Sequence, residues 1–388
     1  MIDIYTRNLA KFDVWMVLLV VGLMCFGLII IGSATRISLL GSSPAFDNQL
    51  IFMIFGVAIL IASAVIDYRF IARFYIPIYI LCISLLLFVA IFGEDWAGVR
   101  RWVSISIGGF SFGIQASEFT KVFMIIFLAK LLDTHRDINN PGMLAALAGM
   151  IMLPVGLIAM QPSLSAAVVV LVICVSILFV SNVGGKSILV ALAIATPIVS
   201  FLVYDFGRDE SILIHHIVQD YQRSRIETLL NPQYATADDT FQIERSLQAI
   251  GSGQFSGQGL HQGQITQSAG LPAAETDFII SVIGEELGFV GVMGVLTVMF
   301  MVVMKCFWAA IKAPDTLGRL ICIGVTVKLA FQTFANVGVV TEILPNTGVP
   351  FPFVSYGGSS LWTSLAAVGL VINVSMTKAK SIFQEIRT

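Results

Sequence analysis

Charged side chains are scarce in this sequence. Lys, Arg, Asp and Glu make up 12% of the 388 residues, about half the share that is typical of soluble domains. Hydrophobic residues reach 57%, more than one water-soluble core can bury. The shortage of charge therefore excludes a soluble globular protein and indicates a polytopic membrane protein. The net charge of −2 also argues against nucleic acid as a partner.

Cysteine and histidine occur without the spacings of disulfide or metal chemistry. All five cysteines fall inside apolar runs and none has C-x-x-C spacing, so the sequence predicts no disulfide framework. The four histidines form no H-E-x-x-H pattern, which argues against a zinc site of that kind. The first apolar run is about 20 residues long and lacks an A-x-A-like exit, so no cleavable signal peptide is expected.

Ten apolar runs are long enough to cross a bilayer. A hydrocarbon core of about 30 Å needs about 20 apolar residues in a helix. The sequence thus predicts an all-α polytopic protein with about ten transmembrane helices, of which the fourth is short and carries charge. The predicted spans are 14–33, 49–66, 75–93, 116–132, 143–160, 163–181, 187–204, 289–311, 317–340 and 355–376.

The cations are distributed unevenly between the two sides of this topology. With the N-terminus inside, the outer short loops hold only Arg36, Arg100 and Arg101, while most other Lys and Arg residues fall inside. The positive-inside rule then places both termini in the cytoplasm. Residues 1–388 form one membrane domain, and residues 205–277 form a long extracytoplasmic loop between helices 7 and 8. The pattern at 211–230 predicts an interfacial helix, and 251–270 should be irregular.

Glu118 and Lys121 place charge inside the fourth span. A charge within a bilayer costs at least about 2.5 kcal/mol and commonly marks a site. Their three-residue spacing allows pairing on one helical face, which by itself could stabilise the helix start. With Arg100 and Arg101 just upstream, the same residues form a cationic cluster that suits a diphosphate.

Three carboxylates, Asp277, Glu285 and Glu286, surround the start of the eighth span. Asp277 is either a helix N-cap, because Asp before an apolar run is a common start signal, or a functional group that the Gly-rich loop delivers to the membrane surface. The two glutamates are either paired or interfacial side chains, or part of the same site. In a helix, the eight-residue spacing of Asp277 and Glu285 puts both near one face.

A polar stripe follows the ninth span, where Lys328, Gln332 and Asn336 recur every four residues. Such a stripe must face protein or water, and two roles remain open. One is interhelical hydrogen bonding, worth about 0.6 kcal/mol per contact, and the other is substrate contact. The Pro- and Gly-rich segment 344–360 follows and contains Ser355 and Tyr356. Irregular backbone at membrane depth is tolerated only where protein or a cavity satisfies it.

Several motifs occur in order along the chain. They are G-V-R-R-W at 98–102, Q-A-S-E-F-T-K at 115–121, Q-P at 161–162, Y-Q-R-S-R-I at 221–226, L-N-P at 230–232, A-I-G-S-G at 249–253, L-P-x-x-x-T-D-F-I at 271–279, G-E-E-L-G at 284–288 and V-S-Y-G-G-S-S at 354–360. With these motifs the sequence resembles the SEDS family of cell-wall synthases, RodA, FtsW and SpoVE, over essentially the whole chain. Pro350 in G-V-P-F-P-F favours the RodA branch.

The resemblance implies a glycosyltransferase that polymerises lipid II at the outer face of the bacterial cytoplasmic membrane, in cell elongation, division or sporulation. A class B penicillin-binding protein would be its transpeptidase partner. Glycosyl transfer needs a base for the acceptor hydroxyl and positive charge for the leaving diphosphate. Asp277 suits the first role. Arg100 or Arg101 with Lys121 suits the second, with Glu118 orienting Lys121. A divalent cation, Mg²⁺ or Mn²⁺, would assist these cations at the diphosphate. The other candidate substrate contacts are Lys328, Gln332, Asn336, Ser355 and Tyr356.

Two motifs depart from the family pattern. The family's Q-P-D-L-G reads Q-P-S-L-S here, with Ser163 and Ser165, so one carboxylate is missing. Its P-E-x-H-T-D-F reads P-A-A-E-T-D-F, with Ala273 and Glu275 near Asp277. The alternative functions are a lipid-linked precursor flippase or transporter, and a partner-binding scaffold. Transporter folds commonly carry internal repeats, and we find none in the sequence.

Overall fold

The computed structural model describes residues 12–35, 43–96, 99–107, 110–135, 140–161, 163–181, 237–268, 270–345 and 348–377. Within these ranges, the side chains of 94–100, 104–112 and 237–240 are not described. The predicted seventh span at 187–204 and the predicted interfacial helix at 211–230 lie outside the described residues.

Helices dominate the described part of the chain, and they coincide with nine of the ten predicted spans. Seven are long and apolar enough to cross a membrane, so the helical membrane fold is confirmed and the count of ten stays a prediction. In chain order the elements are α1 Val14–Ala34, α2 Pro44–Val65, α3 Tyr68–Ala72, α4 Tyr75–Phe92, β1 Glu94–Trp96, β2 Val99–Ile107, β3 Phe110–Ile114, α5 Ala116–Thr134, α6 Pro141–Met160, α7 Leu164–Val180, α8 Ala237–Gly253, α9 Gln264–Gln267, α10 Ile279–Ile311, α11 Thr316–Val340 and α12 Gly358–Met376.

Short polar side chains begin several of these helices. Asp13, Ser43, Asn140 and Asp315 each accept a hydrogen bond from a backbone N–H of the first turn of α1, α2, α6 and α11. Each therefore satisfies a donor that the helix leaves unpaired at its start.

Helices α11 and α12 form the centre of the bundle. Their most apolar stretches are 61% and 78% buried, against 17% for α4. Helix α12 packs along α2, and α11 contacts α5, α7, α10 and α12. Small residues permit the close approach of α2 and α12, since a Cβ at Gly369 would lie 2.6 Å from the carbonyl oxygen of Leu60. Any polar side chain on the inner faces of α11 and α12 is thus enclosed by protein.

A three-stranded antiparallel sheet, in the order β1-β2-β3, precedes α5. The all-α prediction did not include it. Residues 103–107 of β2 pair with 110–114 of β3. The sequence V-S-I-S-I-G-G-F-S-F carries the signals of such a hairpin, because apolar and polar residues alternate on both sides of a G-G dipeptide.

Gly288 divides α10 into two helices. Its φ of 66° and ψ of −163° are not helical, and a Cβ there would lie 2.7 Å from the backbone of Phe255. Only glycine meets both demands. The predicted start of the eighth span at 289 matches the second half of α10. The first half, 279–287, packs against α8, a 17-residue helix inside the stretch that the sequence interpretation treated as a loop.

Candidate active site

Residues 272–278 form consecutive turns, and Asp277 lies two residues before the start of α10 at Ile279. Ala273 has a φ of 52°, and its carbonyl oxygen accepts hydrogen bonds from the backbone N–H groups of Thr276 at 3.1 Å and Phe278 at 3.3 Å. Phe278 occupies the N-cap position of α10. Asp277 therefore does not occupy the N-cap position that one of the two sequence interpretations gave it.

Three predicted site residues hold this turn in place. Asn336 Nδ2 donates to the carbonyl oxygen of Asp277 at 2.8 Å, and Ser355 Oγ donates to that of Thr276 at 2.6 Å. The backbone N–H of Tyr356 donates to the carbonyl oxygen of Glu275 at 2.8 Å. The structure thus brings Asn336, Ser355 and Tyr356 together with Asp277, as supports of its backbone.

The loop that carries Ser355 is itself fixed by Gln49, a residue that the sequence interpretation missed. Gln49 is 2% exposed. Its Oε1 accepts from the backbone N–H of Gly357 at 3.1 Å, and its Nε2 donates to the carbonyl oxygen of Ser355 at 3.5 Å. The available signal was an amide side chain at the start of an apolar run, since polar groups at membrane depth commonly serve a site.

Glu118 and Lys121 form a buried ion pair on α5. Lys121 Nζ lies 2.6 Å from Glu118 Oε1, and the two side chains are only 2% and 3% exposed. The three-residue spacing predicted this contact. Glu118 Oε2 has no hydrogen-bond partner among the described residues, so half of the carboxylate remains available to a ligand.

Lys328 on α11 adds a second buried ammonium group. It is fully buried, and Nζ donates to Ser364 Oγ on α12 at 2.9 Å. Helix α11 packs against α5 where a Cβ at Gly324 would lie 2.8 Å from Ile125 Cγ1, and one turn from each of these residues leads to Lys328 and Lys121 because the two helices run in opposite directions. Two cations and one carboxylate therefore lie at a similar height along the axes of α5 and α11, which we call the charged level. The charged level has a formal excess of one positive charge. An unbalanced charge in a low-dielectric interior is costly, and an anionic group would balance it.

Buried polar groups without described partners continue from this level toward Asp277. Gln332 is fully buried, and neither Nε2 nor Oε1 has a hydrogen-bond partner in the described structure. The same holds for Ser117 Oγ and Asn336 Oδ1. We call the whole set the polar column, which comprises Ser117, Glu118, Lys121, Lys328, Gln332 and Asn336.

Arg100 and Arg101 lie in β2, a strand and not the loop that the sequence interpretation assumed. Successive side chains of a strand point to opposite faces, so at most one of the two can face the polar column. Arg101 is half-buried, and the side chain of Arg100 is not among those described. The sheet is joined to α12, since Ser359 Oγ accepts from the Gln115 N–H and donates to the Gly113 carbonyl oxygen, both at 3.1 Å.

Glu285 and Glu286 are fully buried, so neither carboxylate extends out to the membrane interface, and both have hydrogen-bond partners within the protein. The Glu285 carboxylate caps α9, accepting from the N–H groups of Ile265 at 2.7 Å and Thr266 at 3.0 Å. Glu286 Oε1 accepts from Ser33 Oγ on α1 at 2.5 Å. Glu285 therefore holds α9, which precedes the Asp277 turn in the chain, and Glu286 joins α10 to α1.

The loop 254–259 closes over the break in α10. The N–H groups of Gln258 and Gly259 donate to the carbonyl oxygens of Glu285 and Glu286 at 3.0 and 2.9 Å. A Cβ at Gly257, where φ is 80°, would lie 2.6 Å from Leu287 Cα. Glycine is therefore needed for the loop to approach and satisfy the carbonyl groups that the break leaves unpaired.

The family model with the description "Cell cycle protein", which represents FtsW, RodA and SpoVE, matches residues 14–380. The chain belongs to the FtsW/RodA/SpoVE family. It is 34% identical over 379 residues to a probable peptidoglycan glycosyltransferase FtsW of Trichlorobacter lovleyi, covering 95% of this chain and 94% of that protein. The predicted family is thus confirmed, and the chain is a multi-pass protein of the inner membrane.

Solved structures of the FtsW/RodA/SpoVE family share the fold. One, from a peptidoglycan synthase complex that coordinates polymerization and crosslinking, has a TM-score of 0.76 and 28% identity, covering 95% of this chain and 98% of that chain. The crystal structure of the rod shape determining protein RodA of Thermus thermophilus has a TM-score of 0.67 and 26% identity, with coverage of 95% and 98%. Similarity extends to both FtsW and RodA, so the RodA-like character stays a prediction.

Proposed function

We propose that this member of the FtsW/RodA/SpoVE family is a peptidoglycan glycosyltransferase that polymerises lipid II at the outer face of the cytoplasmic membrane. One observation carries the proposal. The backbone of Asp277 is bound by Asn336 near the end of α11, and the buried face of α11 continues from there to the positively charged groups of Lys328 and Lys121. The FtsW relative and the synthase complex support the same activity.

The proposed chemistry assigns the proton to Asp277. The acceptor hydroxyl oxygen attacks the anomeric carbon of the polyprenyl-diphosphate-linked donor, and a new carbon–oxygen bond forms. The bond between that carbon and the diphosphate oxygen breaks, and its electron pair leaves with the diphosphate. The hydroxyl proton passes to the Asp277 carboxylate, which acts as general base.

Lys121 and Lys328 are the groups that stabilise the leaving diphosphate in this proposal. Preorganised positive charge acts most strongly where water is excluded, and both ammonium groups are buried. Glu118 holds Lys121 in place through the 2.6 Å contact. One of Arg100 and Arg101 is a further candidate for the diphosphate, because their strand immediately precedes β3 and α5.

The proposed orientation follows the cation asymmetry, with both termini in the cytoplasm and residues 205–277 outside. A class B penicillin-binding protein is the proposed partner, supported by the likeness to a complex that couples polymerization to crosslinking. The described residues contain no group of three His, Cys, Asp or Glu side chains suited to a metal ion. A divalent cation here would therefore take its ligands mainly from substrate phosphates, as Mg²⁺ commonly does.

Purified Asp277→Asn tests this function with fluorescent lipid II. Asn keeps the size of Asp but cannot accept the proton, so polymerisation should fall about 10²- to 10⁴-fold while the thermal unfolding midpoint stays within a few degrees of wild type. Products are resolved by gel electrophoresis, with and without a class B penicillin-binding protein.

The same preparation separates the competing functions. Wild-type protein in liposomes that moves lipid II between leaflets without forming polymer would establish the flippase alternative. If Asp277→Asn polymerises within a fewfold of wild type, Asp277 is not the base, and Glu118 becomes the remaining carboxylate of the polar column to examine.

A further inference from the structure

Gln332 presents an unusual combination of burial and unmet hydrogen bonding. It is 0% exposed, yet both its amide nitrogen and its amide oxygen have no hydrogen-bond partner among the described residues. Leaving a buried donor and acceptor unpaired is unfavourable, and such groups in native proteins call for an explanation. The neighbouring Asn336, one turn along α11, uses its Nδ2 fully, donating to Asp277 and Val349 at 2.8 Å each.

Ser117 on α5 lies at the same level as Gln332. The start of α5 is at the end of the bundle where α11 finishes, because the Gln115 N–H donates to Ser359 at the start of α12, and the loop between α11 and α12 is bound by Asn336. The two helices are therefore antiparallel. The helices touch where a Cβ at Gly324 would lie 2.8 Å from Ile125 Cγ1, so two turns from each of these residues toward Asp277 bring Gln332 and Ser117 to a common level.

This level differs chemically from the levels above and below it. One turn below it are Lys121, which binds the Glu118 carboxylate, and Lys328, and one turn above it Asn336 supports the Asp277 turn. The level itself offers neutral groups, which are the amide of Gln332 and the hydroxyl of Ser117, a side chain that is 2% exposed and has no described hydrogen-bond partner. A primary amide with a free donor and a free acceptor matches a secondary amide, which presents one of each.

We propose that Gln332, together with Ser117, binds the 2-acetamido group of the substrate sugar between the Asp277 base and the charged level. The proposal rests on the proposed function, since peptidoglycan is built from N-acetylated amino sugars. The Gln332 amide donates to the acetamido carbonyl and accepts from its N–H, and the Ser117 hydroxyl supplies a further hydrogen bond. The pair thus selects acetamido sugars and sets the rotation of the ring relative to Asp277.

The test compares lipid II with a lipid II analogue whose sugars carry free amines at position 2. Gln332→Met removes both hydrogen-bonding atoms at similar volume. Thr333→Val is the matched control on the same helix, because the Thr333 hydroxyl already donates to the Leu329 carbonyl oxygen at 2.8 Å. For each purified protein we would measure kcat/KM for polymerisation, binding of both lipids to the protein in detergent, and the thermal unfolding midpoint.

Gln332→Met should lower kcat/KM for lipid II about tenfold, the effect expected for two neutral hydrogen bonds. Its rate with the free-amine analogue should stay at the wild-type value, so discrimination between the two lipids collapses. Its unfolding midpoint should equal or exceed that of wild type, because an apolar group replaces unpaired polar atoms. Thr333→Val should keep the wild-type discrimination.

The assignment would be overturned if Gln332→Met lowered kcat/KM equally for both lipids, or if it left the wild-type preference for lipid II over the analogue unchanged. Gln332 would then be hydrogen-bonded by water only. The binding measurement keeps this outcome separate from failure of the proposed function. Wild-type protein could bind lipid II more tightly than the analogue without polymerising it, and Gln332→Met could lose that preference. This result would support the acetamido site and contradict the polymerase function. If polymer forms but neither preference depends on Gln332, only the acetamido site falls.

Discussion

Two polar regions of this molecule, one partly exposed and one buried, differ in how completely their hydrogen bonds are made. The first, which we call the clamp, consists of Tyr68, Arg69, Asp315 and Asn373 at the end of the bundle where α11 begins. Asp315 accepts from Tyr68 Oη at 2.7 Å, Arg69 Nε at 2.8 Å and the Gly318 N–H at 2.8 Å. Burial raises the pKa of Tyr68, and the charge of Asp315 adds to this, so the phenol remains a donor.

Asn373 completes the clamp by joining α12 to the end of α2. Its Nδ2 donates to the carbonyl oxygens of Ser63 and Ala64 at 3.0 Å each and to that of Ile66, and its Oδ1 accepts from the Tyr68 N–H at 3.3 Å. These bonds satisfy carbonyl groups that a helix end leaves unpaired. The clamp therefore ties α2, α3, α11 and α12 together.

The polar column shows the opposite pattern. Five of its buried side-chain atoms, on Ser117, Glu118, Gln332 and Asn336, have no hydrogen-bond partner among the described residues. Each such atom costs about 1–3 kcal/mol when it stays unpaired and dry. Natural proteins tolerate such local inconsistency mainly at functional sites. The comparison therefore assigns stability to the clamp and ligand binding to the polar column.

The largest effect should come from neutralising the ion pair of the polar column. Lys121→Met alone leaves Glu118 as an uncompensated buried charge, a change that costs about 3–5 kcal/mol of folding free energy. The double variant Glu118→Gln with Lys121→Met removes both charges and should keep an unfolding midpoint near that of wild type. It should lower polymerisation about 10²- to 10³-fold, as loss of a preorganised charge does.

The control for that double variant is Lys130→Met plus Asp133→Asn, which neutralises a half-buried ion pair at the other end of the same helix. There, Lys130 Nζ lies 2.9 Å from Asp133 Oδ2. The control should polymerise normally. Equal activity of the two double variants would remove the Glu118–Lys121 pair from the site.

A smaller effect is expected from Gly257→Ala, which tests whether the loop over α10 positions Asp277. Alanine at a φ of 80° is strained, and its Cβ would overlap the backbone near Leu287. The loop must shift, carrying α9 and the Asp277 turn with it. A displacement near 1 Å at a reacting group lowers turnover about 10²-fold at most, so a loss of about tenfold is expected, measured as kcat for lipid II.

Gly251→Ala is the matched control, because a Cβ at Gly251 meets nothing within 4 Å. It should polymerise as wild type. If the two alanine variants have the same kcat, the loop does not control the position of Asp277.

The smallest effect on turnover should come from breaking the clamp. Asp315→Asn removes the ionic partner of Arg69, whose guanidinium Nη2 lies 2.7 Å from Asp315 Oδ2. Both side chains are about a quarter exposed, so the expected loss is about 1–2 kcal/mol of unfolding free energy. Activity per folded molecule should not change. Thermal unfolding followed by circular dichroism gives the first quantity, and polymerisation normalised to folded protein gives the second.

The apolar runs predicted most helices well because bilayer thickness fixes their length. The run at 14–33 became Val14–Ala34, and the run at 75–93 became Tyr75–Phe92. The same length criterion missed α8, whose sequence is polar, and the first half of α10, which lies before the break at Gly288. It also missed the sheet, because apolar and polar residues alternate with a period of two along its strands, and a mean hydropathy averages over that alternation.

The site was predicted where neighbours along one helix determine it. Glu118 and Lys121 meet because they are three residues apart, and Lys328, Gln332 and Asn336 share a face because they recur every four. Contacts between distant segments could not be predicted in this way. The bond from Asn336 to Asp277 spans 59 residues, and that from Lys328 to Ser364 depends on the packing of α11 against α12.

The most direct test measures turnover and stability together in Asp277→Asn and Asp315→Asn, the same substitution in the two regions. Purified proteins are assayed for lipid II polymerisation per folded molecule and for the thermal unfolding midpoint in one buffer. We predict that Asp277→Asn loses about 10²-fold or more in turnover with an unchanged midpoint, and that Asp315→Asn keeps its turnover with a lower midpoint. Normal turnover in Asp277→Asn, or a loss of turnover in folded Asp315→Asn as large as that in Asp277→Asn, would contradict the division between a catalytic column and a structural clamp.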